Sequence, residues 1–416
     1  MANVSGDRGL RRSVGRLVLV IALALLGLAL AEALRAWMGV RPLQLADSPL
    51  YAKSISALLA VGLFASAFSI SRGELRRNAR IVLLAITTGV AFKAMATGGI
   101  MALAYGSAGY LLLGVAMAQI DPLSVAASLR DSRMSVRARS VLSAWASFDD
   151  PVTVLLVVYL ASVTLPGAAR HGPGAMAGAG SGARQLALNA ALVAVAALAW
   201  PGSGRLGRNR EREALRNVVR CLVLAGLLAA AASFGLLAGI TVCGLFFRPP
   251  IDRVLTASVS LAFYGATFLL GLLLLTGVNV AAGALLGVSV FGVQVVTGTI
   301  ISRGMPRDDR VHLALGQQNG LTAIVLALAL EPYLPAAVGI IAVAILVVNA
   351  LHIASNGIWH FLSNAAPGPG IAGTRAAAVS RREGTHAAAV SRREQTGAAG
   401  GELGSAGVAA PRGIPG

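Results

Sequence analysis

Apolar residues fill long stretches of the chain between Arg16 and about Phe361, and short polar segments rich in arginine separate them. About 20 apolar residues are enough for a helix to cross the hydrocarbon core of a bilayer. The stretches are continuous rather than alternating, which argues against a membrane β-barrel. The pattern therefore predicts an all-α polytopic membrane protein.

The apolar stretches predict about 11–12 transmembrane helices. One span holds Asp149, and the others are expected at about 16–34, 52–70, 81–104, 108–129, 185–200, 218–247, 255–276, 280–301, 312–330 and 336–358. The stretch 218–247 is long for one span and short for two. Counting it once leaves the arginines of 303–310 outside, against the rule that positive loops stay inside. Twelve spans are therefore favoured, with the extra crossing within 216–277.

Most of the charge lies in the polar loops. The formal charge is +18, although only 12% of residues are charged and the mean hydropathy is +0.74. Arginines cluster in loops 71–80, 130–139 and 201–216, as cytoplasmic loops do. This distribution argues against nucleic-acid binding and predicts a multi-pass protein of the cell membrane, in contact with lipid and with both termini cytoplasmic. Cys221 and Cys243 have no CxxC spacing and the histidines are scattered, so no cofactor is expected.

Three segments of different composition are expected. A basic cytoplasmic N-terminus at 1–15 precedes a transmembrane domain at 16–361, and a tail follows at 362–416. The tail is rich in Gly, Ala and Arg and repeats Ala-Ala-Ala-Val-Ser-Arg-Arg-Glu at 376–383 and 387–394. Such a composition cannot bury a core, so a disordered cytoplasmic tail is predicted.

Two adjacent carboxylates, Asp149 and Asp150, lie in the middle of an apolar run. One charged side chain near the bilayer centre costs about 2.5–3.5 kcal/mol on insertion scales. Two together cost more, because like charges repel. Consecutive helical residues point about 100° apart, so the two carboxylates cannot face one partner. The pattern indicates an ion or proton site, in which one carboxylate serves the ion and the other pairs elsewhere.

A basic residue and a helix break precede these carboxylates. Lys93 lies near the centre of the third span, which is too deep for snorkelling and favours a buried charge partner. Gln119-Ile120-Asp121-Pro122 interrupts the fourth span, since proline cannot continue the helix before it. Asp121 suits an N-cap and Pro122 the first helical position, so a half-helix is expected there. Two short helices joined by a surface loop are the alternative.

A second break is expected near the end of the membrane domain. Three amides lie between Gly316 and Gly320, namely Gln317, Gln318 and Asn319. Glycine permits an unwound backbone, and the amides can satisfy exposed carbonyl groups. Discontinuous helices that meet near the midplane form ion sites in many secondary transporters. A polar contact between two helices is the alternative.

The pattern Gln-Ile-Asp-Pro-Leu-Ser-Val at 119–125, followed by an arginine loop and Phe-Asp-Asp-Pro-Val-Thr-Val-Leu at 148–155, resembles a known family. It is similar to the sodium/proton antiporters of the monovalent cation/proton antiporter superfamily. That family has Asp-Pro on one broken helix and, on the next helix, Asn-Asp in electroneutral members or Asp-Asp in electrogenic ones. Residues 316–330 are similar to the family's second broken helix. The resemblance covers about residues 81–358.

The resemblance implies an inverted-repeat antiporter fold with two crossing broken helices and core helices at about 81–163 and 280–358. It implies exchange of a monovalent cation for protons by alternating access, without enzyme chemistry and usually in a homodimer. Na⁺ is the first candidate, and K⁺ and Li⁺ are the others.

The resemblance also implies roles for single residues. Matched by position, Asp150 is the carboxylate that binds a cation or a proton in turn, and Asp149 marks the electrogenic branch. Asp121 and Thr153 lie near the crossing, and Asp121 is a second candidate ligand of the cation. Gln119 and Pro122 belong to the first break at this crossing.

Two positions depart from the family's pattern. Electrogenic members usually carry a lysine on the span before the second broken helix, whereas span 280–301 has no basic residue inside and Gln294 near the expected place. Electroneutral members usually carry a glutamate five positions before the second Asp, where this chain has Trp145. Inverted repeats make the third span the counterpart of 280–301. Lys93 is therefore expected to pair with Asp149, the alternative being that it faces the scaffold and only stabilises the fold.

Two other functions are compatible with the pattern. One is sodium-coupled uptake of an organic anion on a similar inverted-repeat fold, which the Gln318-Asn319 pair suits but which would not require Asp149-Asp150. The other is a membrane sensor that does not transport. A membrane enzyme is disfavoured, because the sequence shows no nucleophile–base set and no metal cluster.

Overall fold

The computed structural model describes residues 3–39, 44, 46, 48–70, 83–84, 87, 89–121, 125, 134–165, 182–204, 210–316 and 320–365. Within these ranges it contains thirteen α-helices and no strands. In chain order they are α1 (Asn3–Met38), α2 (Pro49–Ser69), α3 (Val90–Tyr105), α4 (Ala108–Met117), α5 (Val136–Thr164), α6 (Gly182–Gly204), α7 (Arg210–Phe234), α8 (Leu237–Phe246), α9 (Asp252–Leu273), α10 (Val280–Ile301), α11 (Arg307–Ala314), α12 (Leu321–Leu330) and α13 (Ala337–Ala365). The all-α prediction is confirmed.

Seven of the described helices contain stretches long and apolar enough to cross a membrane: Val18–Met38, Pro49–Ser69, Val136–Thr164, Glu213–Phe234, Asp252–Thr276, Val280–Ile301 and Ala337–Trp359. Five shorter helices are also apolar: Val90–Tyr105, Ala108–Met117, Arg184–Trp200, Leu237–Phe246 and Leu321–Leu330. The described residues thus contain a set of apolar helices that fits the predicted polytopic protein.

Several regions differ from the expected spans and loops. Helix α5 begins at Val136, within the expected loop 130–139, and α7 begins at Arg210, within the expected loop 201–216. The stretch 218–247 forms two helices, because Gly235 between α7 and α8 has φ +66°, a conformation that favours glycine. The expected loop 303–310 is wrong in its second half, since α11 already begins at Arg307. Asp308 and Asp309 lie in the first turn of α11. Acidic side chains at this position stabilise a helix by interacting with the positive end of its dipole.

Helix α2 lies at the centre of the packing. It contacts α5, α7, α8, α9 and α12. Its buried residues include Leu59, Leu63 and Phe64. By contrast, the apolar window of α1 is only 11% buried, and α1 packs mainly on α9. The position of α2 brings side chains of this helix to the polar site described below.

The pairs α3–α4 and α10–α11 pack in similar ways. Gly98 of α3 lies against Gly114 of α4, and Gly298 of α10 lies against Ala314 of α11. A methyl group on any of these three glycines would collide with backbone of the neighbouring helix. Each pair is followed by a non-helical segment, which starts at Ala118 after α4 and at Leu315 after α11. The similarity agrees with an internal repeat.

The helices up to Ile358 belong to one compact unit. Of the second unit, Trp359–Gly416, the structure describes only the helical residues up to Ala365. The predicted tail therefore lies almost entirely outside the described residues.

Candidate ion site

Helix α5 carries the two adjacent carboxylates in its middle. Asp149 is 0% exposed and Asp150 is 5% exposed. Ser135 caps the start of the helix, where its side chain accepts a hydrogen bond from the backbone N of Ala138. Pro151 follows the carboxylates inside the helix and has no N–H to donate to the preceding turn. The two aspartates have different partners, as their angular separation on a helix requires.

Uncharged groups from three other segments surround Asp150. Ser66 Oγ of α2 and Thr322 Oγ1 of α12 both donate to Asp150 Oδ2, at 3.0 and 3.1 Å. Oδ1 faces the amide of Gln119. That amide satisfies both neighbours in the orientation in which Nε2 donates to Oδ1 at 2.9 Å and Oε1 accepts from the backbone N of Ala323 at 2.6 Å. The first break, α2 and α12 therefore converge on one carboxylate.

Asp149 forms a buried ion pair with Lys93 of α3. Lys93 Nζ lies 2.5 Å from Asp149 Oδ2, and the side chains are 1% and 0% exposed. The backbone N of Ile120 donates to the same oxygen at 2.8 Å. Lys93 Nζ also lies 5.1 Å from the ring centroid of Trp145, a favourable cation–π position. The expected contact between Lys93 and Asp149 is present, and its part in transport stays a prediction.

The described parts of the two helix breaks lie against each other. Asp121, which is 7% exposed, contacts Gly320, and a methyl group on that glycine would collide with the Asp121 carboxylate. Gln119 reaches across the same gap to Ala323, in the first turn of α12. The crossing predicted from the sequence thus joins these residues beside Asp150. The remaining predicted members, Pro122, Gln317, Gln318 and Asn319, lie outside the described residues.

Two further residues singled out in the sequence are buried in this region. Thr153 lies one turn after Asp149, is 0% exposed, and its Oγ1 has no hydrogen-bond partner among the described residues. Gln294 lies near the place where electrogenic members of the family usually carry a lysine. It is 1% exposed and donates from Nε2 to the carbonyl of Leu313 at 3.4 Å. Gln294 is therefore bound to α11, whereas Lys93 supplies the positive charge beside Asp149.

Sequence reasoning missed Ser66 and Thr322. Hydroxyl side chains in membrane helices commonly bond a carbonyl of the preceding turn. Ser54 and Ser56 do so on α2 itself, donating to Leu50 and Ala52. A serine in an apolar span therefore carries little signal on its own, and only the packing of α2 on α5 distinguishes Ser66 from its neighbours.

A second carboxylate contact that sequence reasoning missed joins α11 to the start of α5. Asp309, which is 3% exposed, accepts from the backbone N of Ser135 at 2.8 Å and from Ser135 Oγ at 2.6 Å. Ser135 is the N-cap of the helix that carries both site aspartates. These hydrogen bonds hold α11, the helix before the second break, against the start of α5.

The arrangement at Asp150 suits a proton or a hard monovalent cation. The oxygens of Asp150, Asp121, Ser66 and Thr322 are the ligand type that such cations take. A hydroxyl can donate to an empty carboxylate or turn its lone pairs to a cation. Clusters of three or more His, Cys, Asp or Glu that could hold a metal ion do not occur in the described part of the chain. The oxygen groups around Asp150 are of the type that binds a proton or a hard cation.

Comparison with known proteins agrees with this geometry. The family model of the transmembrane sodium/hydrogen exchangers matches residues 12–357. The structure of the sodium proton antiporter MjNhaP1 from Methanocaldococcus jannaschii at pH 8 has a TM-score of 0.52 and 17% identity, and the match covers 85% of this chain and 97% of that chain. An electron-microscopy structure of the same antiporter has a TM-score of 0.53 and 17% identity, covering 88% and 100%. No curated protein matches the chain in sequence.

The structural similarity supports the antiporter fold, and the family match covers both helix breaks and the aspartate pair. The resemblance seen in the Asp-Pro and Asp-Asp-Pro patterns is confirmed at the level of the family, while the electrogenic meaning of Asp-Asp stays a prediction. This multi-pass membrane protein belongs to the sodium/hydrogen exchanger family.

Proposed function

We propose that the protein exchanges a monovalent cation, with Na⁺ as the first candidate, for protons by alternating access, and that Asp150 is the carrier carboxylate. The supporting observation is the surroundings of Asp150. The carboxylate is buried, and the hydrogen bonds found for it within the described residues come from uncharged Ser66, Thr322 and Gln119.

Burial without a bound cation disfavours the charged form of a carboxylate. Asp150 therefore gains from binding either a proton or a cation, and the two compete for the same oxygens. A carrier needs this competition, because one ion must leave before the other binds. Asp121, which lies against Gly320 at the same crossing, offers further carboxylate oxygens to the cation.

Lys93 and Asp149 supply a second, coupled charge in this proposal. Cation binding at Asp150 weakens the pairing by placing another positive charge near Lys93. A buried lysine that loses its partner favours its neutral form and releases a proton. More than one proton can then move per cation, which makes the exchange electrogenic. The alternative role, in which Lys93 only stabilises the fold, predicts no effect of Lys93 on the response to membrane potential.

We infer the same placement as the arginine distribution indicates: a cell-membrane protein with residues 1–15 and 362–416 on the cytoplasmic side of a transmembrane domain at 16–361. The low burial of the spans in α1 and α7, 11% and 17%, leaves apolar surface for lipid or for the second copy in a homodimer. Chemical cross-linking of the purified protein tests the dimer.

Everted membrane vesicles test the function. Adding Na⁺, K⁺ or Li⁺ to vesicles that hold the wild-type protein should release protons from the acidified lumen, without any organic anion present. Asp150→Asn should abolish this movement at equal expression. Asp252→Asn, at the exposed start of α9, is the matched control and should exchange normally.

Exchange at the wild-type rate in Asp150→Asn would refute Asp150 as the carrier. Proton movement that requires an organic anion would instead favour a sodium-coupled symporter, and no movement with any cation would favour a sensor.

A further inference from the structure

The start of α7 concentrates positive charge. Six arginines and two glutamates lie between Arg205 and Arg220. Within the described side chains, Arg216 and Arg220 are one helical turn apart and therefore share a face of α7. Both guanidinium groups are permanently positive. A like-charge pair at this spacing is unfavourable by itself, so an anion bound between the two groups would relieve it.

Neighbouring side chains hold the two guanidinium groups in place. Arg220 Cζ lies 4.1 Å from the ring centroid of Trp200 on α6. Trp200 in turn packs edge to face on Phe247, with ring centroids 5.4 Å apart. Arg216 Nη2 lies 3.4 Å from Glu213 Oε1. The Arg220 guanidinium rests on a packed aromatic pair. The arrangement is therefore typical of a preformed binding surface rather than of two mobile side chains.

Arg216 provides the observation that points to a ligand. Its Nε atom is buried and has no hydrogen-bond acceptor in the part of the chain that the structure describes. A buried donor on a charged group is costly when it is left unsatisfied. The Nε and Nη atoms of arginine together match two oxygens of a phosphate group. A phosphate oxygen would therefore satisfy a donor for which the described residues provide no acceptor.

The surface around the two arginines indicates where the phosphate comes from. The span Glu213–Phe234 is only 17% buried, and Leu215, Val218 and Leu222 are 51%, 55% and 67% exposed beside the arginines. These apolar side chains match the acyl chains of a lipid, whereas a soluble anion would gain nothing from them. Tryptophan and arginine are also typical of the membrane interface, and basic pockets between transmembrane helices bind anionic headgroups. We propose that Arg216 and Arg220, with Trp200 as a platform, bind the phosphate of an anionic phospholipid between α6 and α7.

Lipid-dependent thermal stability tests the site without relying on transport. The purified full-length protein in neutral detergent is titrated with phosphatidylglycerol or with phosphatidylcholine, and unfolding is followed on heating. A ligand that binds the folded protein raises the unfolding temperature. Phosphatidylglycerol should raise that temperature more than phosphatidylcholine does. Arg216→Gln/Arg220→Gln should require about 25-fold more phosphatidylglycerol for half the effect, since each arginine near an anionic surface contributes about fivefold.

Two further variants make the result specific. Arg216→Gln alone keeps the stack of Arg220 on Trp200, so it should fold normally and lose about fivefold. Arg253→Gln removes an exposed arginine at the start of α9 and should respond like the wild type. The proposal is overturned by an equal response to both lipids or by an unchanged response in Arg216→Gln. It is also overturned if Arg253→Gln loses as much, or if inorganic phosphate reproduces the effect of the lipid.

Discussion

The ion pair between Lys93 and Asp149 gives a prediction that is independent of transport. The two side chains are 1% and 0% exposed, so water cannot solvate either charge when its partner is removed. Replacing one member of such a buried pair typically costs about 3–5 kcal/mol because it leaves an uncompensated buried charge, whereas replacing both leaves no such charge. The variants Lys93→Gln, Asp149→Asn and Lys93→Gln/Asp149→Asn form a double-mutant cycle that separates these cases.

The size of each single effect follows from protonation. In Lys93→Gln the buried Asp149 avoids an isolated charge by taking a proton. An ordinary aspartate ionises near pH 4, so this costs about 4 kcal/mol at pH 7, at about 1.4 kcal/mol per pH unit. In Asp149→Asn, Lys93 avoids its isolated charge by losing a proton, which costs about 4–5 kcal/mol at pH 7 for a group that ordinarily ionises near pH 10.4.

The two single variants should therefore respond to pH in opposite directions. Lys93→Gln holds an extra proton in the folded state, so its free energy of unfolding should fall as pH rises, by at most about 1.4 kcal/mol per pH unit. Asp149→Asn holds one proton fewer when folded than when unfolded, so its free energy of unfolding should rise with pH by the same amount. The double variant has neither group and supplies the baseline for all other titrations.

Chemical unfolding in mild detergent at pH 6, 7 and 8 measures these slopes. Relative to the double variant, each single variant should change by up to about 2.7 kcal/mol over this range, with opposite signs. If the free energy of unfolding did not change with pH in either single variant, the remaining charges would have to be solvated by water. The argument from burial would then be wrong. A double variant destabilised by the sum of the single effects would equally refute coupling between the two residues.

Three further predictions concern transport and the tail. Lys93→Gln should make exchange less sensitive to membrane potential while cation binding persists, and Gln294→Lys added to it should restore the sensitivity; proton flux in potassium-clamped vesicles measures both. Thr322→Val and Ser66→Ala should each raise the cation concentration for half-maximal exchange by at least about tenfold, since hydrogen bonds to charged groups contribute about 1.5–3 kcal/mol. An unchanged cation dependence would exclude them as ligands. Truncation after Asn364 should leave exchange near normal in the same vesicles, because the tail composition cannot bury a core, and lost activity at equal expression would contradict this.

The features that could be predicted from the sequence are those with a high energetic cost in a membrane. Charged residues within apolar runs are rare, so Asp149 and Lys93 stand out without an alignment. The break at Asp121 is visible for a similar reason, since proline after an acid interrupts a helix in a recognisable way. The boundary at Gly235 was not visible, because a glycine within an apolar stretch is common and only its φ of +66° shows that the helix ends there.

The donors to Asp150 could not be found in the same way. Ser66 lies 84 positions from Asp150 and Thr322 lies 172 positions from it, so only packing brings them together. Single hydroxyls are inexpensive in a membrane helix because they can bond their own backbone. A sequence pattern therefore identifies which buried carboxylates need hydrogen-bond donors. It does not identify which of the many hydroxyl groups provide them.

The position of the lysine follows from electrostatics more than from which helix carries it. Asp149 needs a positive charge within about 4–6 Å, and either of the two helices that correspond in the repeat is a candidate. Helices α3 and α10 pack on each other, and Gly89, just before α3, lies close to both Thr297 of α10 and Trp145 of α5. Both helices thus border the side of α5 on which Trp145 contacts Lys93. A charge on α3 can therefore serve the carboxylate that a charge on α10 would serve, and the transfer of the lysine to position 294 tests this equivalence directly.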